Sequence, residues 1–217
     1  MNPPPNFNRL ALLYRWMEMV SFGPWLMRCR CAFLDECCSA RRGLALGDGD
    51  GRFAARLLSE NAAIQIEAVD ASPDMLKALV HRARPHAKRV RTHVADMRVW
   101  QPEELPYDLI ISHFSLDCLT TSEVELLAGA LARAVSPGSL WVVSEFAIPA
   151  NLYGWLVARP TVAVLYRAFG WFTGLQVRSL PDHSTALRQA GFTLEKRRYW
   201  LGGLLTSELW SVCGERD

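Results

Sequence analysis

The feature that most constrains this chain is Gly47-Asp48-Gly49-Asp50-Gly51, which directly follows the short apolar run 43–46 and directly precedes a helical stretch reaching Leu58. A strand that ends in a glycine turn and passes straight into a helix opens a βαβ unit. The alternation then continues. Residues 64–69 alternate as a strand ending on Asp70, and Ser72-Pro73-Asp74 is a helix start with cap, first-position proline and first-turn acid. Residues 89–94 predict a third strand ending near Asp96. Residues 107–112 predict a fourth, apolar enough to be central. Thr121 or Ser122 opens a helix through Val135 that Ser136-Pro137-Gly138 stops, and residues 140–146 predict a fifth strand. Five alternations argue for an α/β fold with a parallel sheet covered on both faces. Beyond them lie a helical stretch over 152–171, a helix near 184–190, and two closely connected strands, 192–200 and 207–213, expected to form an antiparallel hairpin at the sheet edge.

The chain has 217 residues, 50% of them hydrophobic and 21% charged, which suits one globular domain with a sizeable core. The N-terminal part, residues 1–40, reads as a helical cap: a Pro-rich, disordered lead, a helix over 7–20, and a second helix over 25–38 after Gly23-Pro24. Residues 41–217 read as the main domain, with a helical apolar insertion at about 150–178. A net charge of +2 is too mild to argue for nucleic acid, and none is expected as a partner. Arg9, Arg15 and Glu18 break the first apolar run, so the chain reads as cytoplasmic with no secretory signal. Of six cysteines, four crowd into 29–38. Their spacing departs from paired metal ligands, so free thiols are expected and no metal site is assigned.

Two ligand classes compete for the glycine loop. Gly49-x-Gly51-x-x-Ala54, with Asp70 about twenty residues on, fits a dinucleotide fingerprint and an NAD-dependent oxidoreductase. The carboxylates argue otherwise. A pyrophosphate at this helix start would meet Asp48 and Asp50, a repulsion of about 1 kcal/mol even at water-like dielectric. A ligand carrying a sulfonium and an ammonium would meet favourable charges, while backbone N–H groups received its carboxylate. Asp70 is placed to accept from ribose hydroxyls. Asp96 is placed to accept from an adenine amino group, with Met97 packing on the ring.

Taken together these residues resemble the class I S-adenosylmethionine-dependent methyltransferases. The matching motifs are Leu44-Ala45-Leu46-Gly47-Asp48-Gly49-Asp50-Gly51, Ala68-Val69-Asp70-Ala71-Ser72-Pro73-Asp74-Met75-Leu76, Val94-Ala95-Asp96-Met97, Tyr107-Asp108-Leu109-Ile110-Ile111-Ser112-His113-Phe114 and Val135-Ser136-Pro137-Gly138-Ser139-Leu140, in family order over roughly 43–146. The resemblance implies a Rossmann-like sheet of seven mostly parallel strands with the C-terminal hairpin. It implies S-adenosylmethionine as cofactor, held by Gly47, Asp48, Gly49, Asp50, Gly51, Asp70, Ala71, Asp96, Met97, His113 and Phe114. Phe7, Leu10-Ala11, Tyr14 and Ser21-Phe22-Gly23 are similar to the N-terminal segment of the ubiquinone/menaquinone-biosynthesis branch. That segment folds over the cofactor, which implies that Tyr14 borders it. The chain departs from the family at Ala45, where an acid is usual, and at Asp48 and Asp50, where small or hydroxylic residues are common. Residues 112–119 match no substrate signature.

Methyl transfer needs a nucleophile held in line with the methyl, and a base where that nucleophile is a hydroxyl or acidic carbon. His113 and Asp117, after the fourth strand, are the catalytic candidates; Glu145 and His183 are further ones. The aromatic and aliphatic segment 152–175 reads as a lid over a small aromatic or lipophilic acceptor, or as core or dimer contact. The basic stretch Lys77, Arg82, Arg84, Lys88, Arg89 and Arg91 reads as a solvated face or a peripheral contact with an anionic membrane. Monomer and homodimer stay open, as does a non-catalytic module that uses the fold for a partner.

Overall fold

The computed structural model describes residues 22–102, 106–173, 177 and 179–212, with 168–173 as backbone only. The expected helix over 7–20, Tyr14 and Cys213 lie outside the described residues. Seven strands form one sheet in the order β3-β2-β1-β4-β5-β7-β6. They are β1 (Arg42–Leu46), β2 (Gln65–Asp70), β3 (Val90–Val94), β4 (Tyr107–His113), β5 (Val135–Phe146), β6 (Phe192–Trp200) and β7 (Leu205–Val212). The first five are mutually parallel. β7 slots antiparallel between β5 and β6, giving the expected C-terminal hairpin.

Among the described residues six α-helices accompany the sheet: α1 (Pro24–Arg30), α2 (Arg52–Glu60), α3 (Pro73–Arg82), α4 (Thr121–Ala132), α5 (Arg159–Thr173) and α6 (His183–Gln189). α2 and α3 bury Phe53, Leu57, Leu76 and Leu79 on one sheet face, together with Ile66, Ile111 and Val142. α4 and α6 cover the other face through Val124, Leu127, Leu131 and Leu187, around Trp141 and Trp210. A third cluster joins Phe22 and Leu26 to Phe114, Val162, Leu204 and Leu205. It brings together α1, α5 and residues at or just beyond the ends of β4 and β7.

Several boundaries differ from the expectations. The helix over 25–38 ends at Arg30 and gives way to 3-10 turns, Cys31–Phe33 and Asp35–Ser39. There the Asn61 side chain donates to the carbonyls of Cys37 and Ala40 (3.4 and 2.7 Å), holding the chain on α2 instead of in a continuing helix. α4 is capped one residue earlier than expected. Thr120 Oγ1 accepts from the Glu123 N–H, and Glu123 accepts from the Thr120 N–H, a reciprocal capping box. The helix ends at Ala132, and Ser136-Pro137-Gly138 lies inside β5, not before it. The pairing shifts there, Tyr107 facing Val135 but Leu109 facing Leu140, and the Ser139 hydroxyl ties the irregularity to the carbonyls of Tyr107 and Ser136. The 152–171 helix opens with a π-type turn, Gly154–Ala158, before α5.

Sheet order reverses between β1 and β4, whose chain continuations leave in opposite directions. In an open α/β sheet that is where the carboxyl ends of the strands leave a ligand crevice. The glycine loop follows β1 and residues 114–118 follow β4, so both flank the crevice.

Candidate active site

All three loop glycines have positive φ, at 62°, 60° and 71° for Gly47, Gly49 and Gly51. Two are also held by close neighbours. A Cβ on Gly51 would lie 2.3 Å from Leu79 Cγ and 2.9 Å from its Cα, and one on Gly47 would lie 2.8 Å from Ser115 Cβ. Gly49 faces open space, so its backbone is presented to a ligand.

The carboxylates divide into different roles. Asp48 Oδ2 accepts from the Ala54 N–H at 3.2 Å, near the start of α2, while Asp48 Oδ1 is buried with no hydrogen-bond partner among the described residues. Burial pushes its pKa up to about 7 against the opposing pull of Arg30. Asp50 turns elsewhere: its Oδ2 meets Arg52 Nε (3.1 Å) and Arg82 Nη2 (2.6 Å). Asp70 ends β2, accepts from the Ser72 N–H at 2.8 Å and also from Gly49, and burial raises it to about 6. Ala71 follows it, half-buried, leading into the Ser72 cap of α3. Asp96 is forked onto Arg98, with Nη2 to Oδ2 at 2.6 Å and Nε to Oδ1 at 3.0 Å, and those hydrogen bonds hold it below the usual carboxylate range against its partial burial. Met97 packs toward Gly47, its Cε 3.0 Å from where a Gly47 Cβ would stand.

At the end of β4, His113 is buried, its Nδ1 2.9 Å from Ser144 Oγ and its ring edge-on to Phe53 at 4.5 Å. Its Nε2 is buried with no partner. Burial, and then Arg30, keep the imidazole neutral well below its ordinary pKa. Phe114 follows with φ 55°, a strained value for an aromatic residue, and lies against Phe146 at 5.2 Å. Glu145 Oε1 accepts from the N–H groups of Ser115 and Leu116 (3.1 and 2.9 Å), fixing the turn that carries Asp117. Glu145 Oε2 is buried and unpartnered, and desolvation with the nearby Asp117 raises its pKa well above normal. Asp117 is raised to about 6 by burial. The Tyr166 hydroxyl of α5 donates to the Asp117 carbonyl at 2.9 Å, so the apolar insertion closes onto this turn.

Sequence reasoning did not single out Arg30. It is 6% exposed, its guanidinium lies 5.3 Å over the Phe114 ring, and its charge acts on both Asp48 and His113. The available signal was a charged residue inside the apolar run of α1. His183 lies elsewhere: its Nε2 is 3.2 Å from Glu208 Oε2, in a buried cluster with Arg197 and Trp210 on β6 and β7. The basic stretch after β2 is partly committed to structure. Arg82 pairs with Asp50, Lys77 with Asp74, and Arg89 donates to the carbonyls of Leu58, Asn61 and Ile64. Among the described residues no group of three or more His, Cys, Asp or Glu could hold a metal ion.

The comparisons with known proteins agree with this geometry. Residues 44–138 match the family model of a methyltransferase domain. An uncharacterized methyltransferase of Synechocystis sp. (strain ATCC 27184 / PCC 6803 / Kazusa) is 25% identical over 173 residues, covering 79% of this chain and 71% of the relative. The apo structure of SibL, an S-adenosylmethionine-dependent methyltransferase, superimposes with a TM-score of 0.69 at 21% identity, covering 99% of this chain. This chain spans only 64% of that one. The N-methyltransferase NodS from Bradyrhizobium japonicum WM9, in complex with S-adenosylhomocysteine, superimposes with a TM-score of 0.60 at 15% identity, covering 87% of this chain and 84% of that one.

Residues 44–138 thus match a methyltransferase domain set in a Rossmann-like fold, and S-adenosylmethionine is the cofactor to which that match points. The residues present fit it: a buried, unpartnered carboxylate oxygen on Asp48, an open backbone at Gly49 and a strand-end carboxylate at Asp70.

Proposed function

We propose that this chain transfers a methyl group from S-adenosylmethionine to a small apolar acceptor, aromatic or quinone-like. The reading is carried by Asp48 Oδ1, a buried acceptor without a donor beside a glycine loop at the switch point. A cationic ligand group satisfies it and a pyrophosphate does not, which favours the sulfonium cofactor over NAD. In this reading Asp48 receives the ammonium, Arg30 the carboxylate of the methionine end, and Asp70 the ribose hydroxyls. Ala71, Met97 and Phe114 border the rings. Asp50 and Asp96 serve indirectly, by setting the loop and the Arg98 turn. When bound, the cofactor supplies an activated methyl on a neutral leaving group.

The chain's own task is then to orient the acceptor and move a proton. Asp117, its pKa raised by burial toward the range in which a carboxylate accepts and returns a proton, is the base in this assignment. His113, buried and neutral, positions Ser144 and the end of β4. Apolar acceptors are favoured because Phe22, Phe114 and Phe146 stack in one cluster with Val162 and Tyr166 of α5 beside the Asp117 turn. A ubiquinone/menaquinone-type acceptor belongs to this class.

The test is calorimetric titration with S-adenosylhomocysteine, with NAD and NADH in parallel. Micromolar binding that Asp70→Ala weakens at least tenfold, followed by methyl transfer to quinols or phenols, is the expected result. Binding of the nicotinamide cofactor instead would overturn the reading.

A further inference from the structure

The segment 152–167 is apolar on every side. One stripe, Gly154, Ala158 and Val162, is buried against the body of the protein, with Leu165 and Tyr166 partly so. The opposite stripe is as apolar and faces outward: Leu152 is 72% exposed, Trp155 65%, Leu156 54% and Val164 65%. A helix hydrophobic all round normally has both sides covered, and contiguous exposed apolar side chains mark an interaction surface. Ile148, Pro149 and Trp155 extend this surface into an open hollow that also includes Arg159.

Charge decides what covers it. Between Ala147 and Pro181 the sequence contains no acidic residue, and its charged residues are Arg159, Arg167 and Arg178. Arg159 and Arg167 are exposed on the same segment as the apolar stripe. Apolar side chains with a tryptophan, flanked only by cations, complement an anionic lipid surface. The geometry is that of a helix lying on a membrane. Among the described residues no helix is long and apolar enough to cross a membrane.

We infer that the outward face of residues 148–167 docks this protein on an anionic phospholipid bilayer. The same segment reaches the Asp117 turn through Tyr166, so docking sets the candidate site beside the bilayer, where an apolar acceptor dissolves. The inference deepens the apolar-acceptor reading and rests on it for its purpose, though not for its measurement.

The experiment is flotation of the full chain with phosphatidylcholine vesicles, with and without phosphatidylglycerol. S-adenosylhomocysteine affinity and thermal melting of every variant serve as folding controls. Wild type is expected to float with phosphatidylglycerol vesicles at low salt. Partitioning is expected to fall at least tenfold in Trp155→Glu/Leu156→Glu and about fivefold in Arg159→Glu, the latter difference vanishing at high salt. Trp155→Ala, a milder change, serves if the double variant melts early. Absence of wild-type binding, or binding equal in all variants, would overturn the inference. So would a wild-type dimer that Trp155→Glu/Leu156→Glu splits, because the face would then join two copies of the chain. Loss of vesicle binding with cofactor affinity intact separates this inference from the methyltransferase reading.

Discussion

Asp48 shows how much one side chain can couple the site to pH. Its carboxyl is raised to about 7 in the folded protein, above its ordinary 3.8. A raised folded pKa contributes stability that is complete below pH 4 and lost as pH climbs through 7. The contribution of Asp48 should therefore make the ligand-free protein melt progressively lower from pH 5 to pH 8. The S-adenosylhomocysteine ammonium prefers the ionised carboxylate, so the rise in melting temperature on adding it should grow over the same interval. Asp48→Asn should flatten both trends, as scanning calorimetry at pH 6 and 8 would show. Gly51 is a second residue of this kind. Positive φ and the approach of Leu79 forbid a side chain there, and Gly51→Ala should cost about 2–4 kcal/mol in urea unfolding. The glycines and Asp70 were legible in the sequence because their spacing along a strand–turn–helix is a local property. Arg30 was not. Its place beside Asp48 and Phe114 comes from packing α1 against the far end of the chain, which no local pattern encodes.

At the level of elements, the parallel strands and α3 were readable because period, cap and proline agree there. The boundaries that moved did so for tertiary reasons. Ser136-Pro137-Gly138 has the composition of a stop, yet β5 absorbs it because Ser139 anchors the irregularity to β4. The helix after Pro24 gives way beyond Arg30 to 3-10 turns, and Asn61 fixes the end of that stretch through the carbonyls of Cys37 and Ala40. The C-terminal hairpin has its own polar device. Glu208, 2% exposed, accepts from Trp210 Nε1 (2.8 Å), pairs with the Arg197 guanidinium (Nε at 2.8 Å) and lies 3.2 Å from His183 Nε2. Burial opposes its ionisation, but His183 and Arg197 prevail and hold its pKa below the usual value. A lowered carboxylate pKa contributes stability above pH 4.5 that is lost as pH falls through the folded value. Glu208→Gln should therefore lower stability by about 2–4 kcal/mol at pH 7 and much less at pH 3, measured by denaturant midpoint, with S-adenosylhomocysteine affinity largely kept. His183 was a site candidate by residue type alone, and its position in this cluster could be read only from the pairing of β6 with β7.

Across the whole molecule, the crevice is assembled from segments far apart in the chain. The Ser207 hydroxyl donates to the Cys29 carbonyl at 2.7 Å, and the Cys29 thiol donates to the Thr206 carbonyl at 3.3 Å. β7, which supplies both residues, lies between β5 and the earlier-made β6. Contacts of such long sequence separation form late in folding. The first five strands can pair and shape the glycine loop without β7, but the seat of α1, which also rests on Ser144 and Phe114, is complete only with it. Until that moment β5 is an open edge, and the nascent protein exposes both a sticky strand and an unfinished pocket. Completion of the site thus waits on the insertion of a single strand, and during refolding the gain of cofactor affinity would report that insertion.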